Sequence, residues 1–218
     1  MIQLNIEVRR YNFSQEEQFL ARGCSDRQAL LPQFNNIMEH KHYTDSNYSI
    51  RIDPSLITRM IKKYSEQLIY QPVKEIQFWF GYSSGAFIEP GYPPLFYARK
   101  KSNKVSPNKT ASAGIGEGIA GLLAQWFYRA RKLARPNHDF PDIVMQSERN
   151  IYLVESKASV SEESDNVVKS LNAELPRVVS YSSTCNQLDR RNIIGLLIGT
   201  NITLENTYHI YIRECNLL

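Results

Sequence analysis

Two carboxylates and a lysine stand close together in the chain, in a pattern suited to metal-dependent phosphate chemistry. Asp142 follows Pro141, and after twelve intervening residues comes the triplet Glu155-Ser156-Lys157. Carboxylate oxygens suit a hard cation such as Mg²⁺, or Mn²⁺ in its place, which takes one or two carboxylates together with phosphate oxygens of a substrate. Such a cation polarises a phosphodiester and lowers the pKa of a bound water, while a lysine orients that water or neutralises developing charge. The pattern therefore predicts a hydrolytic centre.

The segments around these residues predict a β-hairpin. Residues 142–146 and 151–157 are apolar or β-branched runs, and the polar residues 147–150 between them are typical of a turn. If the strands pair symmetrically about this turn, Asp142 lies opposite Glu155, with Cβ atoms about 4.5–5.5 Å apart. Glu155 and Lys157 then project from the same face, because side chains alternate along a strand. A register shift of one residue would separate the two carboxylates onto opposite faces.

A second interpretation of the triplet is a solvated cluster of salt bridges on a surface hairpin. Taken alone, an Asp and a Glu-x-Lys pair are common and favour that interpretation. The context favours the metal centre, because the carboxylates lie in the inner, apolar part of the hairpin, beside Ile143 and Val154, rather than at its tip. Charged groups in that position need a partner.

The apolar spacing of the remaining chain predicts alternating helices and strands. In the C-terminal half it predicts helices over 112–133 and 164–190, the second broken or restarted at Pro176, and strands over 192–199 and 208–213. In the N-terminal half it predicts a strand over 1–9, helices over 14–21 and 55–70, and a strand over 73–82. These elements indicate an α/β protein.

Pro141-Asp142, the spacing of a dozen residues and Glu155-Ser156-Lys157 resemble the signature of the PD-(D/E)XK, or restriction-endonuclease-like, nuclease superfamily. The core of that family runs helix, three-stranded meander, helix, strand, and the order of elements from residue 112 onward is similar. The resemblance covers about the C-terminal half of the chain. It implies a restriction-endonuclease-like core with a central mixed β-sheet flanked by helices, beside an elaborated N-terminal half. The strand expected before Asp142 is poorly marked, and we expect it to be short or absent.

Glu117 lies on the helix predicted over 112–133, off its apolar stripe. Many members of the family carry a glutamate on this helix that completes the metal site, so the resemblance implies that role for Glu117. The alternative is a favourable negative charge in the first turn of a helix, worth about 0.3–1 kcal/mol. The resemblance further implies that Asp142 and Glu155 bind Mg²⁺, that Lys157 assists the attacking water, and that the Ser156 carbonyl adds a ligand. Four glycines, at 114, 116, 118 and 121, predict close approach of this helix to the sheet.

The net charge of +4 is unevenly distributed along the chain. Residues 97–135 carry nine basic side chains against Glu117, a local charge of +8, so the remainder sums to −4. The nine basic residues are Arg99, Lys100, Lys101, Lys104, Lys109, Arg129, Arg131, Lys132 and Arg135. Beside the predicted centre, this positive charge would neutralise phosphates and attract nucleic acid. For residues 99–109 the alternative is a solvated, lysine-rich loop.

Length and composition set further bounds. With 218 residues and 42% hydrophobic content, the chain can form one substantial globular domain. We divide it into an α+β region over 1–105, for substrate recognition or as part of the same domain, and the nuclease core over 106–218. Cys24, Cys185 and Cys215 are odd in number and widely spaced, so we expect neither a disulfide framework nor a zinc site, and a cytoplasmic setting. No apolar run approaches the roughly 20 residues that cross a bilayer, so we expect no membrane association.

The resemblance implies a Mg²⁺-dependent nuclease that hydrolyses DNA, most simply an endonuclease of the restriction, mobile-element or defence type, and a homodimer if it cuts both strands. Two alternatives stay open: a non-catalytic nucleic-acid-binding or assembly subunit with the same fold, and a nuclease acting on RNA. A nuclease should gain thermal stability from Mg²⁺ or Mn²⁺. A binding module should instead be indifferent to metal and show salt-dependent affinity for DNA.

Overall fold

A seven-stranded mixed sheet forms the centre of the protein, with helices on both faces. The computed structural model describes residues 1–67, 69–83, 107–136, 140–161, 163–188 and 191–218. The strands are β1 (Ile2–Phe13), β2 (Tyr43–Ile52), β3 (Arg131–Ala134), β4 (Ile143–Gln146), β5 (Asn150–Val160), β6 (Asn192–Leu204) and β7 (Thr207–Leu217), in the order β2-β1-β7-β6-β5-β4-β3. Only β1 with β7 and β5 with β6 pair in parallel within this sheet. The α/β class with a central mixed sheet and flanking helices is confirmed.

Six α-helices cover the sheet among the described residues. They are α1 (Gln15–Asp26), α2 (Leu31–His40), α3 (Pro54–Tyr64), α4 (Pro72–Ser83), α5 (Lys109–Tyr128) and α6 (Asp165–Asn186), and a short 3₁₀ turn, Gln28–Leu30, precedes α2. None of the helices in these parts of the chain is long and apolar enough to span a bilayer.

Each face of the sheet has its own apolar core, and the alternation of side chains along β5 shows the division. Tyr152 and Val154 pack into the core beneath α3 and α5, whereas Ile151 and Leu153 pack into the core beneath α6 and α1. Odd-numbered residues of β5 therefore face α6. Glu155 and Lys157 belong to this odd-numbered set, so they lie on the α6 side of the sheet.

Helix α5 is held close to its neighbours by glycine. Asn108 caps its start, with Oδ1 accepting hydrogen bonds from the amides of Thr110 and Ala111 at 3.0 and 3.1 Å. A Cβ at Gly116 would lie 2.8 Å from the Cβ of Ala158 on β5, and a Cβ at Gly118 would lie 2.8 Å from the Ile61 amide nitrogen on α3. The predicted close approach to the sheet is therefore confirmed at Gly116, whereas Gly118 serves the contact with α3.

The first strand of the chain, β1, lies directly beside the last strand, β7, in the sheet. β1 and β7 pair in parallel from Gln3 opposite Thr207 to Phe13 opposite Leu217. On the α6 side of this pair, Arg213 is only 1% exposed, and its Nη1 lies 2.7 Å from Oε1 of Glu7. A buried charge of this kind depends on its partner.

Several predicted elements are confirmed and others are wrong. The strands over 1–9, 192–199 and 208–213, and the helix over 14–21, correspond to β1, β6, β7 and α1. The strand predicted over 73–82 is wrong: this segment is helix α4, with Val73 and Ile76 buried three residues apart, as a helix requires. Its aromatic residues mimic a strand composition. The helix predicted over 55–70 ends at Tyr64.

The helix predicted over 112–133 is too long at its C-terminal end. Arg129 takes a left-handed backbone conformation, with φ of 51°, and ends α5, and β3 follows at Arg131. The poorly marked strand is thus present and short, and it lies partly within residues predicted to be helical. Helix α6 does not break at Pro176, because Leu175, Val178 and Val179 anchor it to the sheet on both sides of the proline. Strand β2 and helix α2 were not predicted, since both are largely exposed and polar.

Candidate active site

The regular pairing of β4 with β5 ends just before Asp142 and Glu155. The two strands pair from Gln146 opposite Ile151 to Ile143 opposite Val154, which confirms the register predicted from the symmetric turn. One step further along this register, Asp142 precedes β4 and lies opposite Glu155. The Asp142 carboxylate replaces the next ladder bond, since its Oδ2 accepts a hydrogen bond of 2.7 Å from the Ser156 amide. The backbone itself therefore fixes one oxygen of Asp142.

Glu155 is a buried carboxylate with one unused oxygen. Its exposed fraction is 2%, and its Oε1 accepts a hydrogen bond of 2.9 Å from Nζ of Lys157. Its Oε2 is buried and has no hydrogen-bond partner among the described residues. Burial raises the pKa of Glu155, and contact with Lys157 opposes that shift. A buried carboxylate oxygen without a partner is unfavourable, and a cation bound here would supply that partner.

The ionised form of Asp142 is also unfavourable in the folded protein. Burial and the negative charge of Glu155 raise the pKa of Asp142 to about 6, against the opposing hydrogen bond from Ser156. A cation shared with Glu155 would offset this cost. The raised pKa of Asp142 is thus a shift that a bound cation would reverse.

Helix α6 supplies a third acidic residue that sequence reasoning missed. Lys157 Nζ lies 3.1 Å from Oε1 of Glu174, in addition to its contact with Glu155. Burial alone would lower the pKa of Lys157, but the contacts with Glu155 and Glu174 outweigh it and raise this pKa. Lys157 is thus kept as an ammonium group. The available signal was the position of Glu174, directly beside the apolar residues Leu171 and Leu175 of the same helix.

Glu117 lies on the opposite, α5 side and has partners of its own. Its exposed fraction is 6%, its Oε1 accepts from Gln67 Nε2 at 3.0 Å, and its Oε2 accepts from the Glu66 amide at 3.2 Å and from Arg135 Nη2 at 3.0 Å. The first-turn explanation is wrong, because α5 begins at Lys109 and Glu117 lies beyond its second turn. The charge of Glu117 contributes to the raised pKa of Asp142. It is therefore near the centre but hydrogen-bonded elsewhere.

The predicted nucleic-acid-binding residues fall into three groups. Arg99, Lys100, Lys101 and Lys104 lie outside the described residues. Lys109, Arg129, Arg131 and Lys132 are exposed, with the last two on the edge strand β3. Arg135 is ion-paired with Glu117 and, at 2.7 Å, with Glu66, so its charge is already matched within the chain.

The donor set at the hairpin fits a hard cation. Within the described parts of the chain, no group of three or more His, Cys, Asp and Glu side chains is arranged to hold a metal ion. Two carboxylates, Asp142 and Glu155, converge instead, and that number suits Mg²⁺, which completes its shell with water and phosphate oxygens. The buried, unpartnered Oε2 of Glu155 is the observation that a cation would explain. Ser156 follows Glu155 and holds Asp142 through its amide; the Ser156 carbonyl remains a predicted ligand.

Comparisons with protein-family models, with curated proteins and with solved structures found no match to this chain.

Glu117 can be tested by a single substitution. We expect Glu117→Gln to lower the free energy of unfolding by about 1–3 kcal/mol, because Arg135 loses its buried partner while keeping Glu66. Urea denaturation with and without Mg²⁺ measures this, with Glu148→Gln in the exposed hairpin turn as the control. Any stabilisation by Mg²⁺ should survive in Glu117→Gln, since both Glu117 oxygens are already hydrogen-bonded. Its loss would instead place Glu117 among the metal ligands.

Proposed function

We propose that this chain is a metal-dependent nuclease of the restriction-endonuclease-like kind, which hydrolyses phosphodiester bonds in DNA. One observation carries the proposal: a buried glutamate with an unpartnered oxygen lies opposite an aspartate whose pKa is raised, and a charged lysine lies beside it. A surface cluster of salt bridges would not need this arrangement. Exposed ion pairs are solvated, and they leave no carboxylate oxygen buried without a partner.

Each residue of the centre has a role in this chemistry. Asp142 and Glu155 would hold Mg²⁺, which supplies Lewis acidity and a bound water of lowered pKa when present. Lys157 is held as an ammonium by Glu155 and Glu174, so it acts as a positive charge toward a phosphate or a water rather than as a base. Ser156 positions Asp142 through its amide.

Basic residues at one edge of the sheet are compatible with a polyanionic substrate. Arg131 and Lys132 are exposed on β3, and Arg129 is exposed just before them. Lys132 also donates from Nζ to the carbonyl oxygen of Lys63 at 2.7 Å. Positive groups in such positions bind phosphates and give salt-dependent affinity. We place the enzyme among endonucleases of the restriction, mobile-element or defence type, with RNA as the alternative substrate.

A cleavage assay tests the proposed function. Supercoiled plasmid, linear duplex, single-stranded DNA and structured RNA are incubated with the protein in Mg²⁺, in Mn²⁺ and in EDTA. We expect DNA to be cut in either metal and left intact in EDTA, with nicked and linear plasmid as the first products. Cleavage of RNA alone would show that the substrate is RNA rather than DNA. Binding of DNA without cleavage of any substrate in either metal would favour the non-catalytic binding subunit.

A further inference from the structure

Helix α6 presents a row of polar and aromatic side chains beside the acidic centre. Glu174, Arg177 and Tyr181 follow one another at three- and four-residue spacing, so they share one face of this helix. Glu174 is bound to Lys157 and thus fixes the row next to the centre. The proposed hydrolysis uses neither Arg177 nor Tyr181.

Arg177 contacts Glu174, which in turn contacts Lys157 of the acidic centre. Its Nη1 is 3.6 Å from Oε2 of Glu174, and its positive charge lowers the pKa of Glu155. Its guanidinium carbon lies 5.1 Å from the ring centroid of Phe140, which precedes Asp142 by two residues. The side chain is partly exposed. Arg177 therefore has a guanidinium held near Glu155, and part of this side chain is open to meet a phosphate.

Tyr181 stands one turn further along the same face. It is 41% exposed, while the fully buried Phe140 supports it edge-on, with ring centroids 4.8 Å apart and an interplanar angle of 60°. The tyrosine ring is thus packed against Phe140 on one side, and part of it is open to solvent. A rigidly backed aromatic ring next to a phosphate-binding group is the arrangement on which nucleobases stack.

We infer that Arg177 and Tyr181 form a nucleotide subsite beside the acidic centre, in which Arg177 binds a backbone phosphate and Tyr181 stacks on an unpaired base. The inference rests on the proposed nuclease function and names its substrate class. A base inside an intact duplex is covered on both faces by its neighbours, so only an unpaired or extruded base can stack on a side chain. The preferred substrate is therefore DNA with a single-stranded segment at the cut, such as a flap, an overhang or a frayed end.

Binding measurements test the subsite without relying on cleavage. Fluorescence anisotropy is recorded in EDTA with three labelled oligonucleotides: a single strand, a duplex with a single-stranded flap, and a blunt duplex. Stacking of one base contributes about 1–3 kcal/mol, which corresponds to roughly 5–150-fold in affinity. We expect Tyr181→Ala to weaken binding of the single strand and the flap within that range and to change blunt-duplex affinity less than about twofold.

Matched variants separate stacking from packing. Tyr181→Leu keeps apolar contact with Phe140 and should behave like Tyr181→Ala, whereas Tyr181→Phe should bind like the wild type. Tyr70→Ala, at an exposed tyrosine of another segment, should leave all three affinities unchanged. Arg177→Gln should weaken all three and reduce the salt slope by about one.

Three results would overturn the subsite. The first is an equal loss of affinity by Tyr181→Ala for the flap and for the blunt duplex, and the second is unchanged affinity of Tyr181→Leu for the single strand and the flap. The third is absence of oligonucleotide binding by the wild type. These affinities are measured in EDTA, where no cleavage is expected. A failure of metal-dependent cleavage would therefore count against the proposed function but not against the nucleotide subsite.

Discussion

We expect Asp142→Asn to lower the rate of the proposed metal-dependent cleavage by roughly 10²–10³-fold, the loss typical when one preorganised electrostatic group is removed. The reason is charge rather than shape. Asn keeps an oxygen that can accept the hydrogen bond from the Ser156 amide, so the contact between residue 142 and β5 is kept. It has no negative charge for a divalent cation. Initial rates of plasmid nicking in Mg²⁺ measure the loss.

The control for this variant is Glu148→Gln, which removes a carboxylate from the exposed turn of the same hairpin. We expect that variant to cut at the wild-type rate. Glu155→Gln should lose activity as Asp142→Asn does, since it removes the partner ligand. Wild-type rates in Asp142→Asn would show that the acidic pair is not the hydrolytic centre.

The same Asp142→Asn substitution should make the metal-free protein more stable at neutral pH. The folded-state pKa of Asp142, about 6, lies above the value of about 3.9 for an unfolded chain. Ionisation therefore favours the unfolded state, and stability is lost as pH rises from about 4 through 6. Two pKa units correspond to roughly 3 kcal/mol, and partial exposure of Asp142 reduces this to about 1–2 kcal/mol.

Urea denaturation in EDTA at pH 4.5, 6.0 and 7.5 measures this effect. The difference in free energy of unfolding between Asp142→Asn and the wild type should grow with pH, because only the wild type acquires the unfavourable charge. Mg²⁺ should then stabilise the wild type, by about 2.7 kcal/mol at 100 times the dissociation constant, and leave Asp142→Asn unchanged. A variant that is less stable than the wild type at pH 7.5 in EDTA would contradict the charge repulsion inferred here.

The centre could be predicted from the sequence where it depends on local structure. The polar turn at 147–150 fixes the register of the β4–β5 hairpin, and this register alone places Asp142 opposite Glu155. Helix and strand assignments failed where local composition misleads. The aromatic residues of α4 resemble a strand, and α5 ends at Arg129 without the glycine that usually marks a left-handed helix end.

The remaining groups of the site depend on long-range packing. Glu174 and Arg177 reach the centre because α6 packs on β5 and β6, a contact that no spacing along the chain encodes. Glu117 is held by Gln67 and Arg135, which lie on either side of it in sequence and belong to different segments. Sequence reasoning therefore named the residues of the hairpin and, through the resemblance, Glu117, but it missed Glu174 and Arg177 on α6.

The parallel join between β1 and β7 has a consequence for the timing of folding. These strands are separated by about two hundred residues, and pairing across such a distance is slow because the intervening chain must first be brought together. Until β1 docks, Arg213 of β7 lacks the carboxylate of Glu7, the partner that its charge needs before it can be buried. The β4–β5 hairpin can form early, but the sheet that carries it closes only after β7 has been synthesised. During translation, Asp142 and Glu155 are therefore expected to be synthesised before the sheet that supports them is complete.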